Sequence, residues 1–85
     1  MGDVGVWLDF RSVVTGWLRR EFLNFLVEFD VYGDVELMCC DEGVVRRNRH
    51  IVFMSNGVSV DCGDLICYCS PSFFDDLRAA VEVGL

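Results

Sequence analysis

The residues best suited to chemistry in this 85-residue chain are five cysteines and a single histidine. Three of the cysteines and His50 fall within residues 49–70, in the stretch RHIVFMSNGVSVDCGDLICYCS. Four cysteines can hold a tetrahedral zinc ion, but zinc-binding cysteines usually come in C-x-x-C pairs, and the chain has none. Cysteine is also often buried, and an odd number disfavours a disulfide framework. We therefore expect buried, reduced thiols with no metal and no cofactor, and zinc is the alternative.

A catalytic cysteine would need His50 as its base, because the chain contains no other histidine. The sequence has no glycine-rich nucleophile elbow and no segment suited to an oxyanion hole. Two adjacent acidic pairs are better explained as a turn, at Asp41-Glu42, and as a helix start, at Asp75-Asp76. We therefore predict no catalytic residues and no enzymatic activity.

Arg46, Arg47 and Arg49 form the only basic concentration in the sequence. Affinity for nucleic acid comes mostly from lysine and arginine against phosphate, so a net charge of −7 disfavours nucleic acid as the main partner. The simplest interpretation of these arginines is a solvated turn, and we also consider them candidate contacts to an acidic protein partner. The alternative is a role linked to nucleic acid, either RNA contact through this loop or acidic mimicry of a nucleic acid.

The elements that position these residues follow from hydrophobic spacing. Apolar residues recur every three or four positions over residues 11–29, which predicts an amphipathic helix. Residues 1–10 fit either an edge strand or the first turns of that helix. A second helix is predicted over 72–83, with two acidic residues in its first turn and Gly84 at its end.

The intervening residues alternate as strands do. Residues 35–40 form one predicted strand, and residues 51–69 a meander with two-residue turns at Asn56-Gly57 and Gly63-Asp64. These turns place most of the cysteines on one buried face. The predicted fold class is therefore α+β in two layers, with a small antiparallel sheet of three or four strands packed against two helices in a single domain, residues 1–85.

The chain has more apolar side chains than a domain of its size can bury. Its hydrophobic fraction is 53%, above the roughly 45–50% of average globular chains, and small domains bury less of their surface. Val13, Leu23 and Val27 extend the apolar surface of the predicted first helix beyond the stripe that a sheet would cover. We therefore predict a homodimer, or a complex with another protein, through these three residues.

The predicted function is a non-enzymatic protein-interaction or regulatory module that acts through an exposed apolar surface. The absence of lysine and glutamine indicates a skewed base composition, and we interpret the chain as a viral accessory protein that binds host factors. Leu37, Cys39 and Asp41 approximate the L-x-C-x-E ligand of retinoblastoma-type proteins. No apolar run approaches the ~18 residues of a spanning helix, and no signal peptide is recognisable. We therefore expect no membrane span and an intracellular location, cytoplasmic or nuclear.

Overall fold

The chain forms a five-stranded antiparallel sheet with both helices packed on one of its faces. The computed structural model describes residues 2–83, with side chains for residues 10–39 and 42–83. The elements in chain order are α1 (Gly2–Glu21), β1 (Leu26–Phe29), β2 (Val35–Asp41), β3 (Val44–Met54), β4 (Gly57–Val60), β5 (Leu65–Cys67) and α2 (Phe73–Glu82). Each strand pairs with its neighbours in sequence, in the order β1-β2-β3-β4-β5. The α+β prediction is confirmed, although the sheet has five strands rather than three or four.

The predicted helix over residues 11–29 is wrong in its second half. α1 begins at Gly2, which resolves the ambiguity of the first ten residues in favour of helix, and it ends at Glu21. The chain then turns and enters β1. The apolar side chains over residues 25–29 fit both the helical period and the strand period. Pairing decides for the strand, because β1 lies beside β2 with Val27 opposite Leu37.

The core lies between the two helices and one face of the sheet. α1 contributes Val14 and Leu18, and α2 contributes Leu77 and Val81, all without exposed surface. The sheet supplies the opposite wall of this core; its buried residues are Val27, Val35, Leu37, Ile51 and Val58. Because Leu37 is fully buried, the L-x-C-x-E-like segment is not available as an extended ligand in this fold. The second face of the sheet is covered by neither helix.

The turn between β3 and β4 begins one residue earlier than predicted, but the same side chains of both strands still face the core. Met54 pairs with Gly57, so the two-residue loop is Ser55-Asn56 rather than Asn56-Gly57. Gly57 instead pairs with Cys67 of β5, and an added Cβ would lie 2.0 Å from the carbonyl oxygen of Ile66. Because the pairing moves by an even number of residues, the predicted core face of β3 and β4 is unchanged.

The next connection changes the face of β5. Ser59 pairs with Leu65 and Val58 with Ile66, whereas the predicted turn paired Cys62 with Leu65. The pairing moves by three residues, an odd number, so Ile66 faces the core in place of Leu65 and Cys67. Asp61 and Cys62 have φ of 55° and 61°, which belong to a loop rather than a strand.

The hairpin of β2 and β3 extends beyond the rest of the sheet. Residues 39–47 pair only within this hairpin, because β1 reaches no further along β2 than Met38 and β4 no further along β3 than Ile51. We call residues 39–47 the hairpin arm. Its turn has φ of 52° at Glu42 and 78° at Gly43, as expected for a two-residue hairpin loop.

The second helix agrees with its predicted range of about 72–83. It spans Phe73–Glu82, with Asp75 and Asp76 in its first turn, where the helix dipole favours acidic side chains. The predicted helix stop at Gly84 lies outside the described residues. Within residues 2–83, neither helix combines the length and apolar character needed to cross a bilayer.

Candidate interaction surface

The cysteines are more exposed than the sequence predicts. Cys62 and Cys69 are exposed, whereas Cys39 and Cys67 are half-buried, and all four are free thiols. The prediction of buried thiols is wrong for Cys62 and Cys69, because β5 has a different register and Cys62 lies in a loop. The side chain of Cys40 lies outside the described residues. Among the described side chains, no three cysteines lie close enough together to share a metal ion.

Arg49, predicted as a partner or RNA contact, supports the fold instead. Its side chain is 15% exposed, and its Nε donates a hydrogen bond of 3.0 Å to the carbonyl oxygen of Val81 near the end of α2. A cation at this position satisfies a terminal carbonyl and interacts favourably with the helix dipole. The Asp61 carboxylate lies 3.8 Å from Arg49 Nε and balances its charge. Arg49 therefore fastens α2 to the sheet.

Arg46 and Arg47 lie on the hairpin arm, and both are exposed. Arg47 lies 3.9 Å from the Glu36 carboxylate on the uncovered face of the sheet. The nucleic-acid alternative therefore has two exposed arginines at this position, fewer than the roughly 6–10 phosphate contacts of strongly salt-dependent DNA-binding proteins.

His50 has a carboxylate partner that the sequence does not indicate. Its Nε2 lies 2.8 Å from Oδ2 of Asp30, in the turn after β1. Partial burial opposes ionisation of Asp30. Hydrogen bonds from His50 and from the backbone N–H groups of Asp34 and Tyr32 outweigh that effect, and they hold the pKa of Asp30 below its ordinary value. No cysteine is part of this pair, so the structure does not assemble a cysteine–histidine nucleophile from the described residues.

The most exposed apolar side chains gather around β1. Leu23 before the strand is 82% exposed, and Val31 and Tyr32 after it are 92% and 83% exposed. Leu26 and Phe29 within the strand are about half exposed. We call residues 23–32 the edge surface. It combines apolar side chains with the free backbone edge of the sheet, since β1 pairs with β2 on one side only.

The edge surface has few of the features that protect edge strands from pairing. Natural edges often contain lysine or proline, or an inward-pointing charge. β1 has Glu28 as its one charged residue. Arg19 of α1 reaches the edge and donates to the carbonyl oxygen of Val27, but at 3.4 Å this hydrogen bond is long. The shortness of β1, at four residues, is its main protection against pairing.

The three predicted interface residues lie in different settings. Val13 is on α1 and about half exposed, Leu23 is on the edge surface, and Val27 is 5% exposed. The side chain of Val27 is already covered by the core of its own chain. The sequence misses Val31 and Tyr32 because isolated apolar residues in a turn form no periodic pattern.

No protein-family model matches this chain, and no curated protein or solved structure matches it. The functional argument therefore depends on the geometry of the edge surface.

Proposed function

We propose that the chain is a non-enzymatic protein-interaction module that binds along its edge surface, and that its partner is a second copy of itself. The observation that most supports this is that the three most exposed large apolar side chains of the described residues, Val31, Tyr32 and Leu23, all flank β1. Large apolar side chains exposed at both ends of one edge strand, with half-exposed Leu26 and Phe29 between them, favour a binding site along that strand. A free edge strand adds backbone donors and acceptors that a second strand can pair with.

A symmetric pair of β1 strands has a favourable register centred on Val27. Directly opposite residues of an antiparallel pair share a face, so the twofold axis passes through a pair of identical residues. An axis at Glu28 would set two carboxylates opposite each other, which is repulsive. An axis at Val27 sets Leu26 opposite Glu28 of the second copy and brings Leu23 toward the second copy's Val31. In this register Val27 contributes its backbone, while its side chain stays in the core.

The expected dimer is weak. Full burial of an apolar side chain of this size contributes about 1.5–3 kcal/mol. Leu23, Val31 and Tyr32 from two copies therefore gain about 9–18 kcal/mol at most, against an association cost of about 4–15 kcal/mol. The midpoints of these two ranges differ by about 4 kcal/mol, which corresponds to a dissociation constant on the order of 1 mM.

Sedimentation velocity from about 10 µM to about 3 mM, a range that extends to both sides of this constant, tests the proposal. Val31→Asp places a charge on the edge surface, and Val44→Asp places the same charge on an exposed valine of the hairpin arm. We expect the unmodified chain and Val44→Asp to dimerise equally well, and Val31→Asp to remain monomeric. A monomeric unmodified chain, or equal effects of the two substitutions, would contradict the proposal.

Val13→Asp separates this interface from the one predicted on the first helix. If the dimer uses the edge surface, Val13→Asp leaves the association unchanged. Dissociation by Val13→Asp, with no effect of Val31→Asp, would move the interface to α1. The interpretation as a viral accessory protein stays a prediction from the sequence.

A further inference from the structure

A cluster of three metal-ligating side chains lies beside the turn between β1 and β2. The ligand atoms of Asp30, Glu36 and His50 all lie within 4.8 Å of one another, and the described residues contain no other such group. Asp30 follows β1, Glu36 is on β2 and His50 is on β3. Glu36 and His50 are cross-strand partners, so their side chains leave the sheet on the same face. We propose that these three side chains bind a divalent first-row transition-metal ion.

The spacing of the ligand atoms fits adjacent positions around one ion. Ligands about 2.1 Å from a metal, at right angles to each other, are separated by about 3 Å. His50 Nε2 and Asp30 Oδ2 are 2.8 Å apart. A metal ion that replaces the shared proton would lie to one side of the line between these atoms, so both side chains would rotate to direct their lone pairs at it. Glu36 supplies the third ligand once rotation of its side chain brings its carboxylate to the ion.

The backbone holds Asp30 in position for this role. Its Oδ1 accepts hydrogen bonds from the N–H groups of Tyr32, at 2.8 Å, and Asp34, at 3.0 Å. Asp34 in turn accepts a hydrogen bond of 2.9 Å from the N–H of Phe53 on β3. These contacts leave Oδ2 directed at His50. Outer contacts that orient a ligand in this way are characteristic of metal sites.

The donor set indicates the class of ion. An imidazole favours zinc, iron, nickel or copper, whereas carboxylates favour manganese, magnesium or calcium. One imidazole with two carboxylates therefore fits ions that accept both kinds of donor, such as Mn²⁺, Fe²⁺ or Zn²⁺. The three protein ligands leave further coordination positions for water.

Arg47 lies next to this cluster and has a positive charge. It is 3.9 Å from Glu36 Oε1, with its side chain more than half exposed. Exposed pairs at this distance contribute at most about 1 kcal/mol, so Arg47 does not prevent a divalent ion from recruiting Glu36.

Mn²⁺ is the appropriate probe, because its preference for oxygen ligands keeps it from the free thiols. In ¹⁵N-correlated NMR spectra, bound Mn²⁺ broadens the signals of nearby amides. We expect substoichiometric Mn²⁺ to remove the signals of residues 30–36 and of His50 first. The signals of Glu42 and Gly43 should remain, because that turn lies five or more residues along the strands from the Glu36–His50 pair, roughly 17–20 Å away. Glu36→Gln should weaken the binding at least tenfold.

Glu28→Gln is the matched control, because Glu28 is the cross-strand neighbour of Glu36 on the same face and is not a member of the cluster. Loss of the Glu28 charge should change the affinity for Mn²⁺ by less than threefold. Broadening that spreads evenly over the acidic residues would overturn the proposal. So would equal weakening by Glu28→Gln and Glu36→Gln, or no localised broadening at millimolar Mn²⁺. The spectra of each metal-free variant show whether it remains folded.

Discussion

Replacing Gly57 with alanine should break the contact between β4 and β5. A Cβ at this position would lie 2.0 Å from the carbonyl oxygen of Ile66, 2.8 Å from its carbonyl carbon and 3.0 Å from Cα of Cys67. All three are backbone atoms, so no side-chain rotation relieves the clash. Ordinary contact begins at 3.4 Å, so the Ile66 carbonyl would have to retreat by about 1.4 Å.

A displacement of this size is incompatible with the three-residue pairing of β4 with β5. Overpacking usually costs about 1–3 kcal/mol, and the rigid neighbours here place the expected loss of unfolding free energy at the upper end, about 3 kcal/mol. For a domain of this length, that loss corresponds to a fall in Tm of more than about 10 °C.

Gly16→Ala provides the control, with an effect of opposite sign. A Cβ at Gly16 would lie 3.3 Å from Nη1 of Arg20, the mobile end of a side chain. Alanine is favoured over glycine inside a helix by about 0.5–1 kcal/mol, so this variant should be slightly more stable. Thermal and urea unfolding followed by circular dichroism measure both variants. If Gly57→Ala were as stable as the unmodified chain, the β5 backbone would not approach Gly57 this closely and the register of β5 would be wrong.

Three further predictions concern individual side chains. Because its folded-state pKa is lowered, Asp30 contributes stability that is present above its ordinary pKa of 3.8 and is lost as the pH falls through the folded value. The difference in urea midpoint between the unmodified chain and Asp30→Asn, measured in EDTA, should therefore be largest near neutral pH and shrink below about pH 4; a constant difference would refute this. Arg49→Met should cost about 1.5–3 kcal/mol of unfolding free energy through loss of the charged hydrogen bond to Val81; unchanged urea unfolding would contradict the anchoring role. Cys62 and Cys69 should react with iodoacetamide faster than the half-buried thiols, as measured by peptide mass spectrometry; equal rates would argue against the β5 register.

The parts of the fold that depend on local signals could be predicted from the sequence. α2 was identifiable from the acidic residues of its first turn and its apolar spacing, and β2 from alternation. The end of α1 could not be predicted, because the apolar residues 25–29 satisfy both helical and strand periods, and only pairing with β2 decides between them. The register of β5 depends on the close approach of its backbone to Gly57, a contact that no local pattern encodes.

The candidate site was predictable only in part, for similar reasons. Leu23 was identified as exposed, although on the assumption that it belonged to a helix. Val31 and Tyr32 lie in a turn, where apolar residues form no pattern that marks an interface. In the sequence, nothing distinguishes Arg49 from its exposed neighbours Arg46 and Arg47. Its structural role follows from the packing of α2 against β3. The sequence gives no sign of the contact between Asp30 and His50, because 20 residues separate them.

Hydrogen exchange of the β1 backbone amides as a function of protein concentration tests the central claim most directly. Pairing of β1 with a second copy places its free N–H groups in hydrogen bonds, which slow exchange in proportion to the fraction of dimer. Because alternate residues of β1 face β2, the amides that face the free edge are those of Val27 and Phe29. We predict that exchange at these two amides slows severalfold as the concentration passes through the dissociation constant. The amides of the opposite edge strand, β5, should exchange at a constant rate. Exchange in β1 that is independent of concentration, or that slows equally in β5, would contradict binding through the edge surface.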